Sequence, residues 1–187
     1  MINIMRIGFF IYAMNLRGVA NSIYKYAYYN ESILKNKSYI FYDKSNTQNQ
    51  KKVINNFKKN FITFGLKNFT NIENINNKIK LDILYAQIGR SSDLHFPKNT
   101  KNIIHIIFPQ IFFKNENCIF ISKWLSKECS NYKIPYLPLI IDPPTNDTNL
   151  NLRKILNISN EAIVFGCHGG SESFDLDFVK KVISKVT

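Results

Sequence analysis

From Arg6 onward, the sequence alternates between short apolar runs and longer segments whose apolar residues recur at helical spacing. The short runs are rich in β-branched and aromatic residues, which favour strands. The longer segments place apolar residues three and four positions apart, as amphipathic helices do. This alternation of strands and helices predicts a parallel α/β sheet with flanking helices.

The first half and middle of the chain contain the clearest elements. The predicted strands cover residues 6–14, 38–42, 61–64, 82–88, 102–108 and 118–121, and the predicted helices cover 19–34, 48–59, 70–79 and 123–131. The run 102–108 is almost entirely apolar and predicts a strand that is buried on both faces. Ser122 precedes the last of these helices and is expected to cap its amino end.

A segment rich in Pro, Asp, Asn and Thr follows these elements and divides the chain. We expect one domain over 1–142, a linker over 143–149, and the beginning of a second domain over 150–187. The last part predicts a short helix, a strand over 162–166, a Gly-rich loop, and an amphipathic helix over 174–186. Its inward-facing residues are expected to be Phe178, Val179, Val182 and Ile183. A single βα unit cannot cover both faces of its strand, so we expect this second domain to be truncated.

Composition excludes several classes of protein. The chain has 25 Lys+Arg and 13 Asp+Glu, a net charge of +12, but its lysines are scattered and only four basic residues are Arg. Proteins that recognise nucleic acid cluster basic residues on one face, so no specific nucleic-acid partner is expected. The net charge leaves weak contact with anionic membranes open. Three cysteines without CxxC spacing support neither a disulfide framework nor a zinc site, and no metal or other cofactor is expected.

The opening apolar run offers two interpretations, a signal peptide or a buried first strand. The run is short for a signal peptide and lacks a small-residue cleavage site after it. No stretch approaches the ~20 apolar residues of a membrane-spanning helix. The sequence therefore predicts a soluble cytoplasmic protein, with peripheral membrane contact left open.

Two glycine-bearing turns follow predicted strands and precede predicted helices. The first contains Arg17 and Gly18, and the second contains Gly166, His168, Gly169 and Gly170. Backbone N–H groups at such a turn favour an anionic group such as phosphate, but glycines also form ordinary βα turns. His168 could face a ligand or be exposed. His105, within an apolar strand, could be a hydrogen-bonded core residue or a functional one.

The sequence resembles the N-terminal end of GT-B-fold glycosyltransferases, and most closely a group of uncharacterised glycosyltransferase-like proteins of large DNA viruses and some bacteria. The matching strings occur in the same order along nearly the whole chain, at residues 5–10, 16–20, 24–31, 34–38, 120–126, 161–170 and 174–176. This resemblance implies a Rossmann-like N-terminal domain on the acceptor side and the first βα unit of a second, donor-binding Rossmann-like domain. A nucleotide-sugar would be held between the two domains.

The resemblance also implies roles for individual residues. Arg17 and Gly18 would face the donor diphosphate, and His105 would lie on the acceptor side of the cleft. Gly166, His168, Gly169 and Gly170 would belong to the donor site. Relatives tend to carry Lys near Gln87, Arg at Cys167, and a Glu-Pro-His-Gly string at 112–115, where this chain has other residues. Losing two cations would weaken stabilisation of the departing diphosphate.

The expected function is therefore transfer of a sugar, typically a hexosyl group, from a nucleotide-sugar to a glycan or other acceptor. The departures from the family pattern leave open whether this chain is active. The alternative is a non-catalytic α/β module that pairs with another polypeptide, which would complete the second domain.

Overall fold

The computed structural model describes residues 4–68, 71–88, 96–109, 117–143, 151–164 and 177–186. The chain divides into two compact units, Met1–Asp142 and Pro143–Thr187. Each unit is described separately below. Among the described residues, no helix combines the length and apolar character needed to cross a membrane.

The described part of the first unit alternates strands and helices. Its elements are β1 (Arg6–Ile11), α1 (Gly18–Ser32), β2 (Lys37–Asp43), α2 (Lys51–Asn60), β3 (Ile62–Leu66), α3 (Asn71–Ile79), β4 (Ile83–Ile88), β5 (Lys101–Ile106), β6 (Asn117–Phe120) and α4 (Lys123–Ser130). All strand pairs are parallel, and the sheet order is β3-β2-β1-β4-β5-β6. The predicted α/β class, a Rossmann-like parallel sheet with flanking helices, is confirmed.

Two apolar clusters lie on opposite faces of this sheet. One contains Ala20, Ile23 and Ala27 of α1 with Val53 and Phe57 of α2. The other joins the opposite strand faces to residues of α3 and α4, including Ile72 and Leu125. The central strands are therefore buried on both faces, which explains why their sequences are almost continuously apolar.

Helix α4 begins and ends with specific capping interactions. The Ser122 side chain accepts a hydrogen bond from the Leu125 backbone N–H at 3.1 Å, which confirms the predicted amino-terminal cap. Asn131 at the other end has φ 48° and ψ 48°, the left-handed conformation that closes many helices. Its N–H donates to the Lys127 carbonyl at 2.8 Å.

The second unit contains two helices within its described residues, α5 (Leu152–Ile155) and α6 (Asp177–Val186). Residues 162–164 form no strand, and the rest of the predicted strand 162–166 lies outside the described residues. Among those described, this unit has no other strand with which residues 162–164 could pair. Val182 was predicted to face inward but is 56% exposed, because no described element covers it.

Candidate functional site

The sheet order reverses direction between β1 and β4, which are neighbours although β2 and β3 intervene in the chain. In open parallel sheets, ligands bind beyond the carboxyl ends of the strands at such a reversal. The loop after β1, residues 12–17, therefore lies where such sheets bind their ligands. Residues 89–95, the first part of the loop after β4, lie outside the described residues.

The loop after β1 is held in place by the loop after β2. The Met14 N–H donates to Asn49 Oδ1 at 2.8 Å, and the Gln50 N–H donates to the Met14 carbonyl at 2.7 Å. Asn49 also donates through Nδ2 to the Asp43 carbonyl at 2.7 Å. These bonds fix the backbone that leads into α1, so the candidate site has a defined shape.

Arg17 and Gly18 lie where this loop becomes α1. Arg17 is the N-cap residue, with φ −79° and ψ 167°, and its N–H donates to Asn15 Oδ1 at 3.0 Å. Both residues are exposed, and the first turn of α1 carries no acidic side chain. The structure thus places Arg17 and Gly18 at the point where the strand order of the sheet reverses.

Gly18 lies in open space. A Cβ atom added there would meet no heavy atom within 4 Å, so packing of this chain does not require glycine at the position. The amino end of a helix favours an anion, and an arginine can donate two parallel hydrogen bonds to a phosphate. Chemically, this corner of the fold suits a phosphate group that approaches the backbone closely.

The other predicted donor-site residues are Gly166, His168, Gly169 and Gly170, and all four lie outside the described residues. Cys167 and residues 112–115, where the chain departs from the family pattern, lie outside them too. Among the described residues, no group of three or more His, Cys, Asp or Glu side chains could hold a metal ion.

His105 lies in β5 and is completely buried. Its Nδ1 lies 2.5 Å from Tyr85 Oη, and Gln87 donates through Nε2 to Tyr85 Oη at 3.0 Å and to Ser22 Oγ at 2.7 Å. His105 is directly opposite Gln87 in the β4–β5 pairing. A chain of polar groups therefore runs from the second turn of α1 through β4 to β5, inside an otherwise apolar layer.

Burial sets the protonation of this polar chain. It lowers the pKa of His105, an effect that nearby backbone groups of Leu137 and Phe120 only partly oppose. It also raises the pKa of Tyr85 far above its ordinary value. Both groups are therefore neutral at neutral pH, and the direction of the hydrogen bond between them depends on which imidazole nitrogen of His105 carries the proton.

Two atoms of the polar chain, Gln87 Oε1 and His105 Nε2, have no hydrogen-bond partner among the described residues. His105 is thus a buried histidine that is hydrogen-bonded through Nδ1, as one of its two sequence interpretations expected. Its place on the acceptor side of a cleft stays a prediction. Tyr85, Gln87 and Ser22 were not identified as a group from the sequence, because their association depends on strand register and helix placement.

Residues 136–142, called here the return segment, run from the sheet edge to α1. Tyr136 pairs with Phe120 of β6, and the Leu137 N–H donates to the Phe120 carbonyl at 2.8 Å. Further along, the Pro138 carbonyl accepts a hydrogen bond from the Tyr26 hydroxyl at 3.0 Å. The ring of Tyr26 also packs against His105, with the ring centroids 6.3 Å apart.

The return segment ends at an ion pair. The Lys25 ammonium contacts the Asp142 carboxylate, which also accepts a hydrogen bond from the Tyr29 hydroxyl at 2.7 Å. The bond from Lys25, followed by that from Tyr29, lowers the pKa of Asp142. The same interaction with Asp142 raises the pKa of Lys25. Helix α1 therefore carries the candidate phosphate site at its amino end and anchors the return segment through its middle.

Comparison with known proteins adds one fold-level result. Neither a protein-family model nor a curated protein matches the chain. The structure is similar to the crystal structure of a glycosyltransferase from Rickettsia africae ESF-5, with a TM-score of 0.58 and 15% sequence identity over 85% of this chain. The match covers 51% of that protein, so this chain spans about half of its length. At this identity, the similarity establishes that the two proteins share an α/β fold.

Proposed function

We propose that the chain is a glycosyltransferase-like protein of GT-B type, which transfers a sugar from a nucleotide-sugar donor to an acceptor. The main support is the position of Arg17 and Gly18 at the amino end of α1, where the parallel sheet reverses its order. The fold shared with the Rickettsia africae glycosyltransferase adds support. The same corner of related sheets is where anionic ligands bind.

The chemistry of this reaction requires stabilisation of a departing phosphate. When the bond between the sugar and the nucleoside diphosphate breaks, negative charge increases on the phosphate oxygens. In this proposal, the Arg17 guanidinium and the first-turn N–H groups of α1 interact with that charge. Gly18 allows the phosphate to approach the backbone, because a side chain at this position would occupy the open space beside it.

The remaining predicted residues complete the proposal. In this proposal, Gly166, His168, Gly169 and Gly170 also bind the donor, and His105 lies on the acceptor side. Gln87, where relatives tend to carry Lys, is buried and hydrogen-bonded to Ser22 and Tyr85, so it supplies no positive charge. Donor binding and sugar transfer are therefore tested as separate properties.

Calorimetric titration with a panel of nucleoside diphosphate sugars tests donor binding. We expect heat with at least one donor, and we expect Arg17→Gln to weaken its binding about 10- to 100-fold, which is the effect of losing a hydrogen bond to a charged group. The matched control is Lys59→Gln, which removes an exposed cation at the far end of α2 and should leave affinity unchanged.

Two results would contradict the proposal at different levels. Absence of heat with every donor would show that this chain does not bind nucleotide-sugars by itself. Equal affinity for the wild-type chain and Arg17→Gln would remove Arg17 from the site. If a donor binds, release of nucleoside diphosphate in the presence of candidate acceptors then measures transfer.

A second candidate function is a non-catalytic module that pairs with another polypeptide. It is favoured by the apolar surface of the second unit, where large apolar side chains are exposed: Leu152, Ile155, Leu156, Ile163, Val164 and Val182. Large apolar side chains left exposed can mark an interaction site. Size-exclusion chromatography with light scattering distinguishes the two functions, because a monomer that binds a nucleotide-sugar supports the first and a stable oligomer without donor binding supports the second.

A further inference from the structure

One face of α4 combines exposed lysines with the sole tryptophan of the chain. Lys123, Trp124 and Lys127 lie on the side of the helix opposite the buried residues Leu125 and Ser126. Trp124 is 62% exposed, although tryptophan gains most by burial. The core of the protein therefore does not account for the presence of this side chain.

The turn that follows α4 adds another exposed aromatic residue and another exposed lysine. Tyr132 is 50% exposed and has φ 61°, a conformation that is uncommon for an aromatic residue. Its N–H donates to the Ser126 carbonyl at 3.1 Å, and the Lys133 N–H donates to the Ser130 carbonyl at 3.1 Å. These bonds hold the turn in one shape, with Tyr132 half-exposed and Lys133 fully on the surface.

The surface is positively charged as well as aromatic. We define the α4 face as Lys123, Trp124, Lys127, Tyr132 and Lys133. Glu128 is the acidic residue within this segment of α4 and the turn, so the cations outnumber it by three to one. The whole chain adds a long-range attraction to anionic surfaces through its net charge of +12.

We propose that the α4 face docks onto a bilayer that contains anionic lipid. Tryptophan and tyrosine favour the headgroup region of a bilayer, because their rings are apolar and carry one polar group. Lysines next to the surface are attracted by anionic headgroups. The α4 face contains no arginine, so it supplies point charges rather than the bidentate contacts that favour specific phosphate or nucleic-acid recognition. This combination fits a peripheral membrane surface better than a nucleic acid.

The single tryptophan provides a direct test. Because Trp124 is the chain's only tryptophan, its fluorescence reports on the α4 face without labelling. In about 0.1 M salt, the full chain is mixed either with vesicles of pure phosphatidylcholine or with vesicles in which about a third of the lipid is phosphatidylglycerol. We expect a blue shift of the emission and co-sedimentation with the anionic vesicles, both of which decrease at high salt.

Variants locate the binding surface. Lys123→Gln and Lys127→Gln should each weaken binding to anionic vesicles about five-fold. The matched control removes two exposed lysines of α2, in the variant Lys51→Gln with Lys52→Gln, and should leave the Trp124 blue shift intact. Trp124→Ala should reduce co-sedimentation without unfolding the chain, because the side chain is mostly exposed.

Three results would overturn the proposal. The first is unchanged Trp124 emission with anionic vesicles at low salt. The second is equal loss of binding in the α2 control and in the α4 variants, which would show attraction through net charge alone. The third is an equal or larger blue shift with a single-stranded oligonucleotide, which would identify the α4 face as a nucleic-acid surface.

Discussion

At the residue scale, two glycines of the first unit have opposite structural requirements. Gly8 is buried in β1, where an added Cβ would lie 2.8 Å from Leu81 Cδ1, 3.0 Å from Leu84 Cδ1 and 3.1 Å from Phe41 Cε2. Gly18 has open space around it. Glycine is thus required by packing at Gly8, whereas at Gly18 only a ligand could require it.

We therefore expect Gly8→Ala to lower the free energy of unfolding by about 1–3 kcal/mol, the usual effect of overpacking a core. Gly18→Ala should leave stability unchanged or slightly increase it, since alanine favours a helix more than glycine does. Urea denaturation of both variants measures the difference. Equal stability of Gly8→Ala and the wild-type chain would contradict the packing described for β1.

His105 gives stability a specific dependence on pH. Burial lowers its pKa below the ordinary value of 6.5, so the unfolded state takes up a proton before the folded state does as the pH falls. The contribution of His105 to the free energy of unfolding should therefore be fully present above about pH 6.5 and decrease as the pH falls below it. Between about pH 7.5 and 5.5, we therefore expect the free energy of unfolding to fall as the pH is lowered.

The matched experiment compares the wild-type chain with His105→Gln in urea at both pH values. The variant loses the titrating imidazole, so its stability should change less over this range, whatever its absolute stability. The carboxylate of Asp142 does not interfere, because its lowered pKa places its titration at more acidic pH. An identical pH dependence in both proteins would show that His105 is not the group responsible.

At the element scale, the return segment depends on a few polar contacts with α1. At its end, Asp142 contacts Lys25 and Tyr29 of α1. At its start, backbone hydrogen bonds hold it to β6. Asp142 has a lowered pKa, so the anchor is present above about pH 4 and is lost as the pH falls through the folded value. At neutral pH the carboxylate is charged and the anchor is intact.

We expect Asp142→Asn to release the end of the return segment while leaving the sheet folded. The amide keeps the shape of the side chain but not the charge that pairs with Lys25. Limited proteolysis with a non-specific protease should show faster cleavage within residues 134–143, by several-fold. The control Glu128→Gln neutralises an exposed carboxylate of α4 and should leave the cleavage rate there unchanged.

At the scale of the whole molecule, the two units differ in how much they bury. The first unit contains both apolar clusters. In the second unit, none of residues 151–164 is buried. Because apolar burial is the dominant favourable contribution to folding, the first unit holds most of the stability of the chain.

Residues 1–142 expressed alone should therefore fold and unfold cooperatively in urea with nearly the midpoint of the full chain. They retain the Lys25–Asp142 anchor as well as the complete sheet. Residues 143–187 alone should show little helix by circular dichroism, since short helices are marginal without packing. Loss of cooperative unfolding in residues 1–142 would show that the first unit depends on the second.

The sequence predicted regular elements best where their own residues are sufficient. Strand β5 was predicted from its apolar run, and the cap of α4 from Ser122, because both signals are local. Residues 162–164 have strand composition but form no strand, since a strand needs a neighbour with which to form hydrogen bonds. Val182 lies in a helix, as its spacing predicted. Its side chain is exposed and not buried as predicted, because burial also needs an element that covers it.

The sequence by itself determined the order and type of the elements in the first unit, and it placed Arg17 and Gly18 in a turn between a strand and a helix. Local periodicity and capping carry that information. Only the tertiary structure decided the strand order that brings this turn to the point where the sheet reverses. It also decided the pairing of Gln87 with His105 and the contact of Asp142 with α1. These depend on register and on contacts between residues distant in the chain, which local patterns do not contain.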